Sequence, residues 1–187
     1  MIIGWVLLGI IVIAIIYAIV IYNSLVSLQN SARSAWSDIE VQLKKRFNLI
    51  PNLVNIVKGY TKYEGETFEK ITKARNLFAN ANSEKEKIEA TQILNSGLSG
   101  IFAIAENYPE LKADTQFSKL QTELTNIEND IENARRYYNA VIKDYNTKIA
   151  TFPDVIIANK YNFRELPYFE LEDNEKDKVY QTPKVEL

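Results

Sequence analysis

Residues 1–22, MIIGWVLLGIIVIAIIYAIVIY, contain no charged side chain, and nothing in them is more polar than a tyrosine hydroxyl or an indole. Any chain that begins this way must place this stretch in lipid or in a protein core. At about 1.5 Å per residue the 22 residues make a helix of ~33 Å, enough to cross a ~30 Å hydrocarbon layer. Nine Ile, three Val and two Leu lie in it. At ~0.3–0.6 kcal/mol each, these side chains favour insertion by roughly 4–8 kcal/mol. The run is too long for a cleavable signal, no Lys or Arg precedes it, and Asn23-Ser24-Leu25-Val26 offers no cleavage site, so it reads as an anchor. Without cysteine, lipidation of a processed N-terminus is excluded as well. After the span come Arg33 and then Lys44, Lys45 and Arg46. The positive-inside bias therefore predicts the N-terminus outside and the body in the cytoplasm.

The 165 residues that follow residue 22 are enough for one domain with a substantial core. There are 22 basic and 24 acidic residues, and the basic ones form no stripe, which argues against nucleic acid as a partner. The chain has no histidine and no cysteine. That absence excludes Ser-His-Asp and Cys-His catalysis, His/Cys zinc sites, His- or Cys-ligated haem, redox disulfides and the Glu-x-x-His ligands of di-iron bundles.

Between Ile10 and Ile50 there is neither Gly nor Pro, so nothing stops the anchor helix from running on into water as one long helix. Its aqueous part has a seam of period 3.5 at Leu25, Leu28, Ala32, Ala35, Ile39 and Leu43, widened by Trp36 and continued by Arg46, Ile50, Leu53, Val57 and Tyr60. Arg46 on that seam either packs its stem while the head reaches solvent or a carboxylate, or contacts a partner. Because the seam stays in phase across Pro51, a kinked but continuing helix is expected there. Thr61-x-x-Glu64 is a possible capping box, and a second helix is expected from about Gly65 to Phe78. Ser83-Glu84-Lys85-Glu86 is a capping box for a third, which Tyr108-Pro109 ends. Gly97 and Gly100 weaken this third helix by up to ~1 kcal/mol each relative to alanine unless they permit a close crossing. The fourth helix, residues 115–150, carries the clearest seam: Phe117, Leu120, Leu124, Ile127, Ile131, Ala134, Tyr138, Val141 and Tyr145.

These patterns predict an all-α fold: an N-terminal transmembrane helix continuing into an elongated antiparallel bundle of about four helices. The segments are an anchor over 1–22, a bundle over 23–151, an aromatic strap over 152–170 and a charged, disordered tail over 171–187. The second and third helices are too short to cover the whole of the first and fourth. The membrane-proximal half would then hold those two helices alone, with an under-covered apolar strip. After Thr151, Phe152-Pro153, the run Val155–Ala158 and the aromatics Phe163, Tyr168 and Phe169 read as an extended segment, either strapped over the bundle or touching lipid headgroups.

Several stretches resemble the LemA family of bacterial membrane proteins. They are residues 22–26, residues 35–46 (AWSDIEVQLKKR), 49–54 (LIPNLV) with Pro51 and Asn52, 57–60 (VKGY), and Ala74-Arg75. Further on are 105–111 (AENYPEL) with Glu106, Tyr108 and Pro109, then 134–139 (ARRYYN) with Arg135, Arg136, Tyr138 and Asn139, and last Phe152-Pro153 and 167–170 (PYFE) with Tyr168 and Phe169. Tyr63-Glu64 stands where many family members have His-Glu, so a role attached to that histidine does not transfer. The resemblance implies a single span, a cytoplasmic bundle at the bacterial cell membrane, association with other envelope components and no established activity.

Two long seams without a catalytic constellation favour a non-catalytic, membrane-anchored scaffold that meets the bilayer through residues 1–22 and presents helix faces to another membrane protein or a second copy. No cofactor, metal or nucleic acid is expected. The Arg135-Arg136 and Tyr137-Tyr138 pairs are the foremost candidate patch, although a buried ion pair with a glutamate such as Glu106 would also account for an arginine. A membrane-shaping protein is the alternative. A carboxylate-only enzyme using Glu64, Glu66, Glu69 and Glu106 is the weakest, because carboxylates at this density on helices are usually solvated.

Overall fold

The computed structural model describes residues 2–61 and 65–169. Among these residues all regular structure is helical: α1 (Ile2–Tyr60), α2 (Gly65–Asn80), α3 (Glu84–Asn107), α4 (Pro109–Lys112), α5 (Thr115–Ala150) and α6 (Asp154–Lys160). The apolar stretch and the aqueous seam are one helix, as the lack of breakers predicted. Pro51 lies inside α1 without ending it. It removes one donor from the ladder, while Ile50, Leu53 and Val57 around it are all buried. Glu64 and the tail from residue 170 onward lie outside the described residues, and with them the Thr61-x-x-Glu64 box and the charged tail. The box at Ser83 forms as expected: the Glu86 amide donates to Ser83 Oγ at 3.2 Å, and Glu86 Oε2 accepts from the Ser83 amide at 3.3 Å. Asp114 caps α5 by accepting from the Gln116 and Phe117 amides at 2.7 and 2.9 Å.

The chain divides into two compact units, Met1–Ser37 with Ala134–Leu187, and Asp38–Asn133. In the second unit the core is made by Phe47, Ile50, Leu53 and Val57 of α1 with Ile71 and Ala74 of α2, Leu94, Leu98 and Ile101 of α3, Leu111 of α4, and Phe117 and Leu124 of α5. At about 1.5–3 kcal/mol for each large apolar side chain removed from water, this interior dominates the unit's stability. The Phe47 and Phe78 rings stack with centroids 4.1 Å apart. Gly97 faces Ile71 so closely that a Cβ there would lie 2.6 Å from Ile71 Cγ1. The glycine thus allows the close α2–α3 crossing. Arg46 pairs with Glu128 at 2.6 Å and the Tyr60 hydroxyl donates to Asp114 at 2.8 Å. Partner numbers fall as α1 advances, so α1 and α5 are antiparallel here.

In the first unit the same direction holds: Trp36 meets Tyr138 at 5.8 Å between centroids, while Ile21 and Leu25 pack with Ile149. Two expectations are corrected in this unit. Residues 154–160 are not extended but form α6, whose Ala158 is buried against Ile21 and Leu25. Nor do the first and fourth helices pair alone, because α6 and the segment after it occupy the strip that was expected to lie open. The run Val155-Ile156-Ile157 has strand-like β-branching, but tertiary contacts override that propensity and favour a helix with Asp154 in its first turn and Lys160 in its last.

Candidate functional site

The residues with the least protein cover are those of the anchor itself. Ile2, Ile3 and Trp5 are each more than 70% exposed, and most large side chains up to Val20 are about half exposed. No part of the apolar window is buried by protein, so lipid is the environment that matches it. Burial begins at Ile21 and Leu25, where α6 docks.

Three local devices hold α6 there. Lys148 Nζ, near the end of α5, pairs with Asp154 Oδ2 at 2.9 Å across the intervening turn. The Tyr22 ring lies 4.8 Å from Tyr161, tilted to it by 59°, and 5.8 Å from Phe163, edge to face at 66°, a three-ring cluster on the last turn of the span. Asn162 adopts φ 58°, the left-handed conformation that asparagine tolerates better than most side chains. With it the Phe163 amide reaches Ala158 O at 3.0 Å and the Asn162 amide reaches Asn159 O at 3.4 Å, a Schellman end to the helix. In this assembly Phe152, Ile156 and Tyr161 remain 77%, 57% and 53% exposed. A groove of about 310 Å3 runs between the last turns of the span and α6, lined by Ile15, Ala18, Ile19 and Tyr22 on one wall and Ile157, Lys160 and Tyr161 on the other.

Beyond α6 the chain crosses back over α5 in extended form, held by two asparagines. Asn146 accepts from the Leu166 amide and donates to Leu166 O, both at 2.9 Å. Asn139 does the same with Phe169, at 2.8 and 3.1 Å. The Tyr138 hydroxyl donates to Pro167 O at 3.1 Å. Phe169 is buried, its ring 6.0 Å from Trp36 and 4.4 Å beneath the Arg135 guanidinium. Sequence reasoning chose Asn139, Tyr138, Arg135 and Phe169 but missed Asn146. The signal was the seven-residue interval from Asn139, which puts both amides on one helix face.

The LemA family model matches residues 35–186. The chain belongs to the LemA family. Protein LemA of Metamycoplasma hominis is 28% identical over 155 residues, covering 82% of this chain and 71% of that protein. Magnetosome protein MamQ of Magnetospirillum gryphiswaldense is 23% identical over 174 residues, or 79% of this chain and 64% of that protein. Magnetosome protein MamQ 2 of Paramagnetospirillum magneticum is 22% identical over 175 residues, with 80% and 64% covered. The chain thus spans less than two thirds of the magnetosome proteins' length. Family membership and the uncovered apolar helix make this a bacterial membrane-associated protein.

The other LemA-motif positions are spread through both units. Arg46 is buried and reaches Glu128, the ion-paired form of the ordinary reading. Pro51 is half-buried, and Asn52 is exposed beside Gln116 and Lys119 in a shallow groove of about 390 Å3. Arg75 is exposed, lining another shallow groove of about 360 Å3 with Lys44 and Phe78. Tyr108 ends α3 and packs on the core, and Pro109 opens α4. Glu106 does not meet an arginine: it is exposed and pairs with Lys112 at 2.6 Å, so it is not the glutamate of the expected ion pair. Arg136, Phe152 and Tyr168 are exposed, and Pro153 precedes α6 across a cis bond from Phe152. Glu66 and Glu69 are exposed too, Glu66 pairing with Lys70 at 2.8 Å, which holds its carboxyl below the usual range. Tyr145, at the end of the α5 seam, is fully buried, and burial pushes its phenol up.

Proposed function

We propose that this LemA-family chain is a membrane-tethered interaction protein that works by contact between helix faces rather than by bond-making, with its N-terminus outside and its body in the cytoplasm. The carrying observation is how the polar candidates are disposed. The interiors are filled by apolar seams, the carboxylates named as catalytic candidates are solvated where described, and the family-motif residues Asn52, Arg75 and Arg136 stand on the surface. The partner is another membrane protein or a second copy. Photo-crosslinking side chains at these three positions, in cells, test this reading. A discrete adduct is expected that Arg75→Glu or Arg136→Glu weakens; silence at all three positions refutes it.

A second reading, lipid contact by the C-terminal part of the chain, is favoured by the exposed Phe152, Ile156 and Tyr161 around a helix that packs on the span. The chain lacks cysteine, so a spin label on Ile156→Cys in the reconstituted protein reports depth without background. Preferential relaxation by oxygen supports lipid contact, and relaxation by a water-soluble nickel complex removes it.

A further inference from the structure

The groove between the span and α6 has a polarity gradient along the axis of α1. Its deep wall is Ile15, Ala18 and Ile19, and the single methyl of Ala18 between two isoleucines gives it depth. Tyr22 lies seven residues beyond Ile15, about 10 Å along the helix axis. At that end Tyr161 packs on Tyr22, and Lys160 Nζ is 5.9 Å from the Tyr161 ring centroid. Among the described residues Lys160 is the one charged residue of the lining, which includes no carboxylate. An apolar channel that opens at acyl depth and ends, about 10 Å nearer water, in two tyrosines and an ammonium follows the change from hydrocarbon to headgroup in one leaflet.

We propose that this groove seats one phospholipid molecule, its acyl chain against Ile15, Ala18, Ile19 and Ile157 and its phosphate on Lys160. Two features fit that occupant. The deep wall belongs to the anchor, so lipid surrounds the opening at high concentration. The lone positive charge complements a phosphate, and a lysine stem can lie along apolar surface while its head reaches the interface. The walls are also fixed beforehand, by the Lys148–Asp154 pair at one end of α6 and the Asn162 turn at the other, so little ordering cost falls on binding. The site rests on the lipid-contact reading and deepens it, by naming a stoichiometric ligand in place of general adhesion.

The test is native mass spectrometry of the full chain, released from micelles containing phosphatidylglycerol or, separately, diacylglycerol. One phosphatidylglycerol should stay bound at collision energies that strip the rest, and diacylglycerol should not. Lys160→Glu should lower retention about tenfold, as expected for reversing one charge at a phosphate, while Lys160→Arg keeps it. Ala18→Phe, which fills the groove, should abolish retention with helical content unchanged by circular dichroism. Equal retention of the two lipids overturns the phosphate assignment, and wild-type retention in Ala18→Phe overturns the groove. A wild-type chain that keeps no lipid, as a seat for another protein's helix would, overturns the site altogether. With a deep label at Ile156, that last result leaves general lipid contact standing; a shallow label removes both.

Discussion

One seam on α1 is covered in two different ways. In the Asp38–Asn133 unit, α2, α3 and the start of α5 supply apolar side chains to Phe47, Ile50, Leu53 and Val57. In the other unit, Trp36 and its neighbours receive a short helix and an extended segment. The difference in polar chemistry follows. A helix satisfies its own backbone, so it can cover a neighbour with apolar contacts alone, whereas an extended segment brings unpaired amides and carbonyls that the covered face must answer. α5 answers with Asn139, Asn146 and Tyr138, whereas side-chain to backbone bonds on α2 and α3 return to their own helix, as from Thr72 to Phe68 O and from Thr91 to Lys87 O.

The largest expected effect is therefore a steric one on the helical cover. Gly97→Leu places a side chain where even a Cβ would lie 2.6 Å from Ile71 Cγ1. Overpacking of this kind costs typically about 1–3 kcal/mol, more than the ~1 kcal/mol that helix propensity returns. The midpoint of thermal unfolding should fall, while amide exchange at Leu166 and Phe169 stays as it was until global unfolding. Unchanged melting would mean that the crossing is not close and that helical cover is looser than described.

Comparable in size, but confined to one segment, is the effect on the polar latch. Asn146→Leu leaves the Leu166 amide and carbonyl without their partner, a loss of about 1–3 kcal/mol, and Asn139→Leu does the same at Phe169. Hydrogen exchange at these two amides should speed up strongly while the Ile101 and Leu124 amides keep their protection. If exchange at Leu166 were unaltered, the segment would be held by apolar contact, and the contrast between the two covers would disappear.

The helical cover was legible in the sequence in detail and the extended one only in outline, as a strap that was one of two readings of residues 152–170. Burial along α1 and α5 follows the three-four spacing from Leu25 to Val57 and from Phe117 to Tyr145 because a helix turns a linear interval directly into a face. The capping box at Ser83 was likewise a local signal with one physical meaning, whereas Gly97 had two, a weakened helix or a close crossing, and its approach to Ile71 decides for the second. α6 escaped because its seven residues include three successive β-branched side chains, and what makes them helical lies elsewhere: Leu25 beneath, Lys148 beside, and Asn162 ending the turn. Asn146 escaped because a helical asparagine usually faces water. The lipid groove could not be read at all, since its walls are more than 130 residues apart in sequence.

The smallest effect separates the two covers by pH. Asp114 accepts from the Phe117 amide, from the Tyr60 hydroxyl and from the Gln116 amide, and these bonds hold its carboxyl below the usual range; the Tyr60 phenol is raised, first by its bond to Asp114. A carboxyl whose folded value is depressed adds stability above its unfolded value, and that stability is lost as pH falls through the folded one. Acidification below the ordinary aspartate range should therefore loosen the junction of α1 and α5, seen as faster exchange of the Gln116 and Phe117 amides after correction for intrinsic rates. The asparagine amides that hold Leu166 and Phe169 do not titrate, so their protection should stay flat over the same range. Asp114→Asn should remove the acid sensitivity at residues 116 and 117 alone. If the Leu166 and Phe169 amides loosened in step with them, the two covers would be one cooperative structure despite their different chemistry, because a purely local cap cannot transmit its titration to bonds made by asparagine amides that do not titrate.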